Sequence, residues 1–319
     1  MPILDDRHDL GHPVEDDPDW SESYYFNGYD PQADCGFFAR LAVRPNEPHA
    51  DAFVSLWLPG GDGARLAAAR TTALPEPGFP ALDTIHAERL VPMQRWRLAA
   101  HGRADDGRDL AFEATFEALS PPVGVDAAGR RVADATGAAV TGSLASGHFA
   151  QAGRWAGRVS VAGADVAFAG RGNRDKSWGP RRTDGGRGMR YWRWFSMNFA
   201  DDLHLGGIRV GTADGTLERG WLYRDGAVTS LRGMTVTTRL AADGLRQQGV
   251  TLLARDKAGG EHRFDGEVLR SVPLLARGHE HMAVFEGLTR WQHGETIGYG
   301  ICEYAHQLDA DGRPLTPIE

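Results

Sequence analysis

Cysteine is nearly absent: the 319 residues hold two, Cys35 and Cys302. So distant a pair implies no disulfide framework, and there is no Cys-x-x-Cys zinc or redox motif. No apolar run approaches the roughly 20 residues that span a bilayer. The first residues, Met-Pro-Ile-Leu-Asp-Asp-Arg-His, have neither a basic stretch nor an apolar core, so no secretory signal is expected there. Positive charge is in deficit, at a net -8 with pI about 5.8. That disfavours nucleic acid or an anionic membrane as partner. Also missing are His-Glu-x-x-His, a Gly-x-Ser-x-Gly elbow, a P-loop and a dinucleotide-binding Gly-x-Gly-x-x-Gly. No cofactor is expected, and a cytoplasmic protein of bacterial type is the simplest reading.

Strand signals dominate what is present. Phe37–Val43, Ala52–Leu58, Trp96–His101 and Leu110–Glu117 are short apolar or alternating runs. Asp105-Asp-Gly107 marks a hairpin between the last two. The second half repeats the pattern over Leu203–Val210, Leu217–Tyr223, Gly233–Leu240, Val250–Asp256, His262–Leu269 and Met282–Glu286. Asp-Gly and Gly-Gly pairs punctuate these runs. Such spacing argues for sandwiches or barrels rather than βαβ units. The Ala/Gly-rich stretch Asp126–Thr141 is expected to be a surface excursion. At about 100–200 residues per domain, the length favours two domains.

The densest cluster of unusual residues is Gly170-Arg-Gly-Asn-Arg-Asp-Lys-Ser-Trp-Gly-Pro-Arg181. It follows the strand-like run Val159–Phe168 and precedes Tyr191-Trp-Arg-Trp-Phe195. Its glycines and proline suggest a turn enclosing a polar site.

The pattern Arg174-Asp175-x-Ser177-Trp178-Gly179-Pro180-Arg181, followed by Trp192-x-Trp194, resembles the signature of the hydroxyneurosporene synthase (carotenoid 1,2-hydratase) superfamily. It is closest to that superfamily's bacterial lipocalin-like branch. Trp20–Tyr29, His148-Phe-Ala-Gln151 and Gly298-Tyr-Gly-Ile-Cys-Glu303 are similar to further elements of the branch, although Ala150 stands where the pattern has an acid. The resemblance implies an all-β fold: two tandem lipocalin-like antiparallel β-barrels or sandwiches with few short helices, over residues 1–169 and 170–319. It also implies a cofactor-independent enzyme on a hydrophobic terpenoid, steroid or aromatic substrate. Hydration or dehydration, double-bond isomerisation and cyclisation all fall within that class. A non-catalytic carrier of a hydrophobic molecule is the alternative, and a homodimer remains open.

Candidate catalytic residues are Asp175, Glu303, His148 and Tyr299. In an extended chain Arg174 and Asp175 point to opposite sides. Asp175 is then either a structural anchor, bonded to backbone N–H groups or to Arg181, or a proton donor facing an apolar cavity. His148 is a general acid or base, or a hydrogen-bonded structural histidine. Tyr299 and Glu303 share one strand face by the period of two, as do Trp192 and Trp194, with Tyr191 on the reverse. Arg174, Trp178, Tyr191, Trp192, Trp194 and Gln151 are the candidate substrate-binding residues. Their aromatic faces would stabilise a developing cation, although core filling accounts for nine tryptophans equally well. His279-x-His281, with His293 or His306, is the best metal-like spacing, but a site needs three or four ligands and none is assigned.

Overall fold

The structure is a computed structural model that describes residues 4–74, 80–125, 146–181, 189–212, 215–274 and 281–319. The described residues form two compact units, divided after Arg181. Each is described by itself.

The first unit starts with a short 3₁₀ turn, Asp6–Asp9, capped by the Asp5 carboxylate accepting from the Arg7 N–H. Its strands are β1 (Trp20–Asp30), β2 (Cys35–Arg44), β3 (His49–Trp57), β4 (Gly63–Arg70), β5 (Ala81–Leu82), β6 (Ile85–Val91), β7 (Arg95–Arg103), β8 (Asp109–Ala118), β9 (Val123–Val125), β10 (Gly147–Val161) and β11 (Ala164–Pro180). They form one antiparallel sheet in the order β4-β3-β2-β1-β11-β10-β8-β7-β6-β5, with β9 paired to β10. The two ends curl toward each other. There the Asp105 N–H donates to the Arg65 carbonyl at 2.7 Å, and ion pairs join Arg65 to Asp105, Arg70 to Asp83 and Arg108 to Asp62. Side chains thus stitch a seam that no strand ladder closes among the described residues. The inner face carries Phe26, Phe37, Leu41, Trp96, Phe112, Phe116 and Trp155.

The second unit is a closed antiparallel barrel. Its strands are β12 (Met189–Ala200), β13 (Leu203–Thr212), β14 (Gly215–Arg224), β15 (Ala227–Leu240), β16 (Gln247–Asp256), β17 (Glu261–Pro273), β18 (Met282–His293) and β19 (Thr296–Gln307). β12 pairs with β19 to complete the ring. Phe195, Met197, Leu252, Phe264, Trp291, Cys302 and Tyr304 fill its interior. Both cysteines are buried.

The all-β expectation therefore holds, while two local expectations do not. Val159–Phe168 is not one strand: β10 ends at Val161 and β11 begins at Ala164. Ala162 and Gly163 make the turn, at φ 52° and 82°. The signature Gly170–Arg181 is not a turn either, because its residues through Pro180 are the second half of β11. The strand passes through the expected boundary at 170 without a break. Its glycines serve close packing instead. Gly153, Gly172 and Gly28 stand in one row across three strands. A Cβ on Gly172 would lie 1.9 Å from the Asn27 carbonyl oxygen, and one on Gly28 2.8 Å from the Trp155 ring. The stretch expected as a surface excursion, Asp126–Thr141, lies outside the described residues.

β7 and β8 alternate buried and exposed residues, as expected of a sheet with one solvated face. β1, β2, β3, the second half of β11, β12 and β19 are instead buried or half-buried on both faces. The candidate residues fall on β11, β12 and β19 among these, and, for His148 and Gln151, on the first, largely buried half of β10.

Candidate active site

β11 divides its signature between two faces. Arg174, Lys176 and Trp178 point into the first unit; Asp175 and Ser177 point outward.

The inward residues are held by the N-terminal segment. Arg174 is buried and donates through Nη1 to Asp9 Oδ1 at 2.6 Å and through Nε to Gln151 Oε1 at 2.7 Å. Its guanidinium lies 4.9 Å from the Phe149 ring centroid and 5.5 Å from that of Trp96. Gln151 in turn donates to the carbonyls of Met93 and Ser120. Lys176 pairs with Glu22 and donates to the Leu10 carbonyl at 2.6 Å. His12 stacks on Trp178 at 3.8 Å and bonds Glu22 at 3.0 Å. Burial, then the nearby Lys176 charge, holds the His12 imidazole below its ordinary pKa against the opposing pull of its Glu22 bond. Each inward cation has a carboxylate partner, and Arg174 and Gln151, both expected as substrate-binding residues, brace the strap of residues 5–12.

The outward face carries a histidine–carboxylate pair. His148 Nε2 bonds Asp175 Oδ2. Ala150 is the direct cross-strand neighbour of Asp175 on β10, and Tyr25 is its neighbour on β1. His148 stands opposite Ser177, which stands opposite Ser23. Ser23 accepts from Arg40 Nε at 3.2 Å, and Arg40 pairs with Asp51 at 2.5 Å. The Asp175 carboxylate is 14% exposed and the His148 ring 34% exposed. A carboxylate oxygen accepts, so in this contact the imidazole donates through Nε2, and Nδ1 is the ring nitrogen left over for another partner. Asp175 thereby fixes the orientation of the His148 ring, the geometry a carboxylate gives a histidine in a hydrolytic triad. This is the partner that the sequence assigned to neither residue: Asp175 bonds His148.

In the second unit, Trp192, Trp194, Tyr299 and Glu303 lie on the outer face of β12 and β19, opposite the core side of Phe195 and Cys302. Trp192 Nε1 donates to Glu303 Oε1. Buried Glu286 is the cross-strand neighbour of Glu303, and the Tyr299 carbonyl accepts from Asn198 at 3.4 Å. Tyr191 faces the barrel interior instead. Of the expected aromatic wall, Trp192 and Trp194 share this outer face, and Trp178 lies inside the first unit on the face opposite Asp175. Asp9, Glu22, Lys176 and Met93 were missed. Lys176 could have been found by its spacing of two from Arg174; Asp9 and Met93 carry no local signal.

His279 lies outside the described residues. His281 is exposed before β18, whereas His306 is inside the barrel. Among the described residues no group of three or more His, Cys, Asp or Glu could hold a metal ion. A cleft of about 990 Å³ on the first unit is lined by His86, Arg97, His101, Glu113 and Arg158 among small alanines. It includes none of the residues above, and its Arg97 and Glu113 pair with each other at 2.9 Å.

A family described as a domain of unknown function (DUF7064) matches residues 5–308. No curated protein matches. Solved structures do. A candidate AttH from Nitrosomonas europaea is similar over 89% of this chain and 92% of its own, at TM-score 0.67 and 16% identity. Kievitone hydratase from Nectria haematococca aligns over 89% and 88%, at TM-score 0.61 and 13% identity. CghA solved with Sch210972 aligns over 95% and 96%, at TM-score 0.57 and 12% identity. At these identities the likeness is one of fold.

Proposed function

Since the chain belongs to this family of unknown function (DUF7064), whose description carries no activity, we propose from the site itself that it is an acid–base enzyme acting on a hydrophobic small molecule. The reaction class is hydration or dehydration, or double-bond isomerisation. The observation that carries the reading is the bond between His148 Nε2 and Asp175 Oδ2 on a largely buried sheet face. Nδ1 takes a proton from water or from an activated carbon, and the imidazolium returns it elsewhere on the substrate; Asp175 stabilises the charged ring. Such proton transfer contributes roughly 10²–10⁴-fold. The shared fold of kievitone hydratase supports water addition as the class. That of CghA keeps a cyclisation catalyst as a related reading. In the second unit, Glu303, anchored by the Trp192 indole and paired across the ladder with Trp194, is a separate candidate acid, and Tyr299 lies on the same strand face.

The test is incubation with a terpenoid and steroid panel in deuterated water, read by mass spectrometry. Deuterium uptake or a mass gain of one water is expected. His148→Gln and Asp175→Asn should each lower turnover by about 10²-fold or more, with ligand binding and circular dichroism unchanged. Bound but unaltered ligand across the panel would instead identify a carrier.

A further inference from the structure

The second barrel holds a buried cation that the proposed chemistry does not use. Arg193 lies on β12 on the same face as Phe195 and Met197, and therefore inside the barrel. It is 1% exposed. Its Nε and Nη1 have no hydrogen-bond partner among the described residues. The guanidinium lies between two rings, 5.1 Å from the Tyr191 centroid and 5.2 Å from that of Tyr304. Beside it is His306, equally buried, with neither ring nitrogen bonded. Burial and the Arg193 charge push this imidazole down to about 3, so it is neutral near pH 7.

An unpaired buried polar group carries a penalty that a native fold rarely leaves unmet. Three unbonded donors, two on Arg193 and one on the neutral His306 ring, call for an acceptor. The neighbouring cation has carboxylates of its own: Arg209, across the β12–β13 ladder from Arg193, forms ion pairs with Glu218 at 3.3 Å and with the Glu319 side chain at 3.0 Å. A carboxylate is thus already accommodated at this mouth of the barrel, next to Arg193 but not on it. Glu218 and Glu319 would repel a phosphate dianion. A single negative charge flanked by aromatic rings fits better.

We infer that Arg193 and His306 form a binding subsite for a small aromatic or apolar monocarboxylate inside the mouth of the second barrel. Arg193 supplies charge and hydrogen-bond donors, neutral His306 one further donor, and Tyr191 and Tyr304 the walls. The subsite is independent of the His148–Asp175 pair and stands whether or not that pair is catalytic.

The experiment is calorimetric titration of the full chain with benzoate, benzamide and inorganic phosphate. Benzoate is expected to bind saturably, and at least about tenfold more tightly than either of the others, the scale of a charge-assisted hydrogen bond. Arg193→Met should weaken benzoate about tenfold or more while melting no lower than the parent, because it removes an unpaired buried charge. Arg193→Lys, which keeps charge but not the planar fork, should retain part of the affinity. Four outcomes overturn the inference: no saturable benzoate binding, equal binding of benzoate and benzamide, tighter binding of phosphate, or an Arg193→Met protein that is folded and binds benzoate unchanged. Any of them would leave Arg193 a purely structural cation held by its two tyrosines.

Discussion

Single residues in this chain are read through their partners, and the partners come from far away. Asp9 and Arg174 are 165 residues apart and buried together. Removing one charge strands the other, at about 3–5 kcal/mol for buried pairs. Asp9→Ala should therefore lower unfolding free energy by that order, measured in urea, and Asp9→Ala with Arg174→Met should recover much of it. His306 makes a different prediction. Its folded pKa, about 3, is below the ordinary 6.5, so between these values the unfolded chain binds a proton that the folded chain refuses. Its contribution is complete above about pH 6.5 and is lost as the pH falls toward 3. Comparing urea midpoints at pH 7 and pH 4, His306→Phe should show a smaller acid loss than the parent, by up to the order of 3 kcal/mol.

At the scale of strands, alternation was legible and curvature was not. Period-two reasoning placed Trp192 with Trp194, and Arg174 opposite Asp175, because side-chain direction follows backbone periodicity. The signature was misjudged because its glycines resemble turn residues. Their role depends on neighbours that only the register supplies: Gly172 is opposite Gly28 on one side and Gly153 on the other. The hairpin at Ala162–Gly163 was missed for a related reason, since alanine at φ 52° carries no turn signal. Gly172→Val should push β1 from β11 at the Asn27 carbonyl. The expected loss of stability, by thermal melting, is above about 3 kcal/mol, in the range reserved for overpacking and backbone conflict. The pairing of His148 with Asp175 was equally beyond reach, although both residues had been singled out, because it needs the register of β10 on β11.

For the whole molecule, the sequence pointed to two β units but not to how each closes. The first depends on pairing residues far apart in the chain, as Asn27 with Asn173, and the second on pairing β12 with β19. Such topologies fold slowly, in milliseconds to seconds. Stopped-flow refolding followed by tryptophan fluorescence should show no main phase faster than about a millisecond.

The stitched seam of the first unit has a counterpart in how chains meet one another. Where β4 ends the sheet, its outer backbone groups are matched by a few bonds and by arginine–aspartate pairs that salt weakens. An edge strand of this kind can accept a strand from a second molecule. At high salt, self-association should therefore begin at Gly63–Arg70, while the second unit, a ring of paired strands, presents no such edge among its described residues.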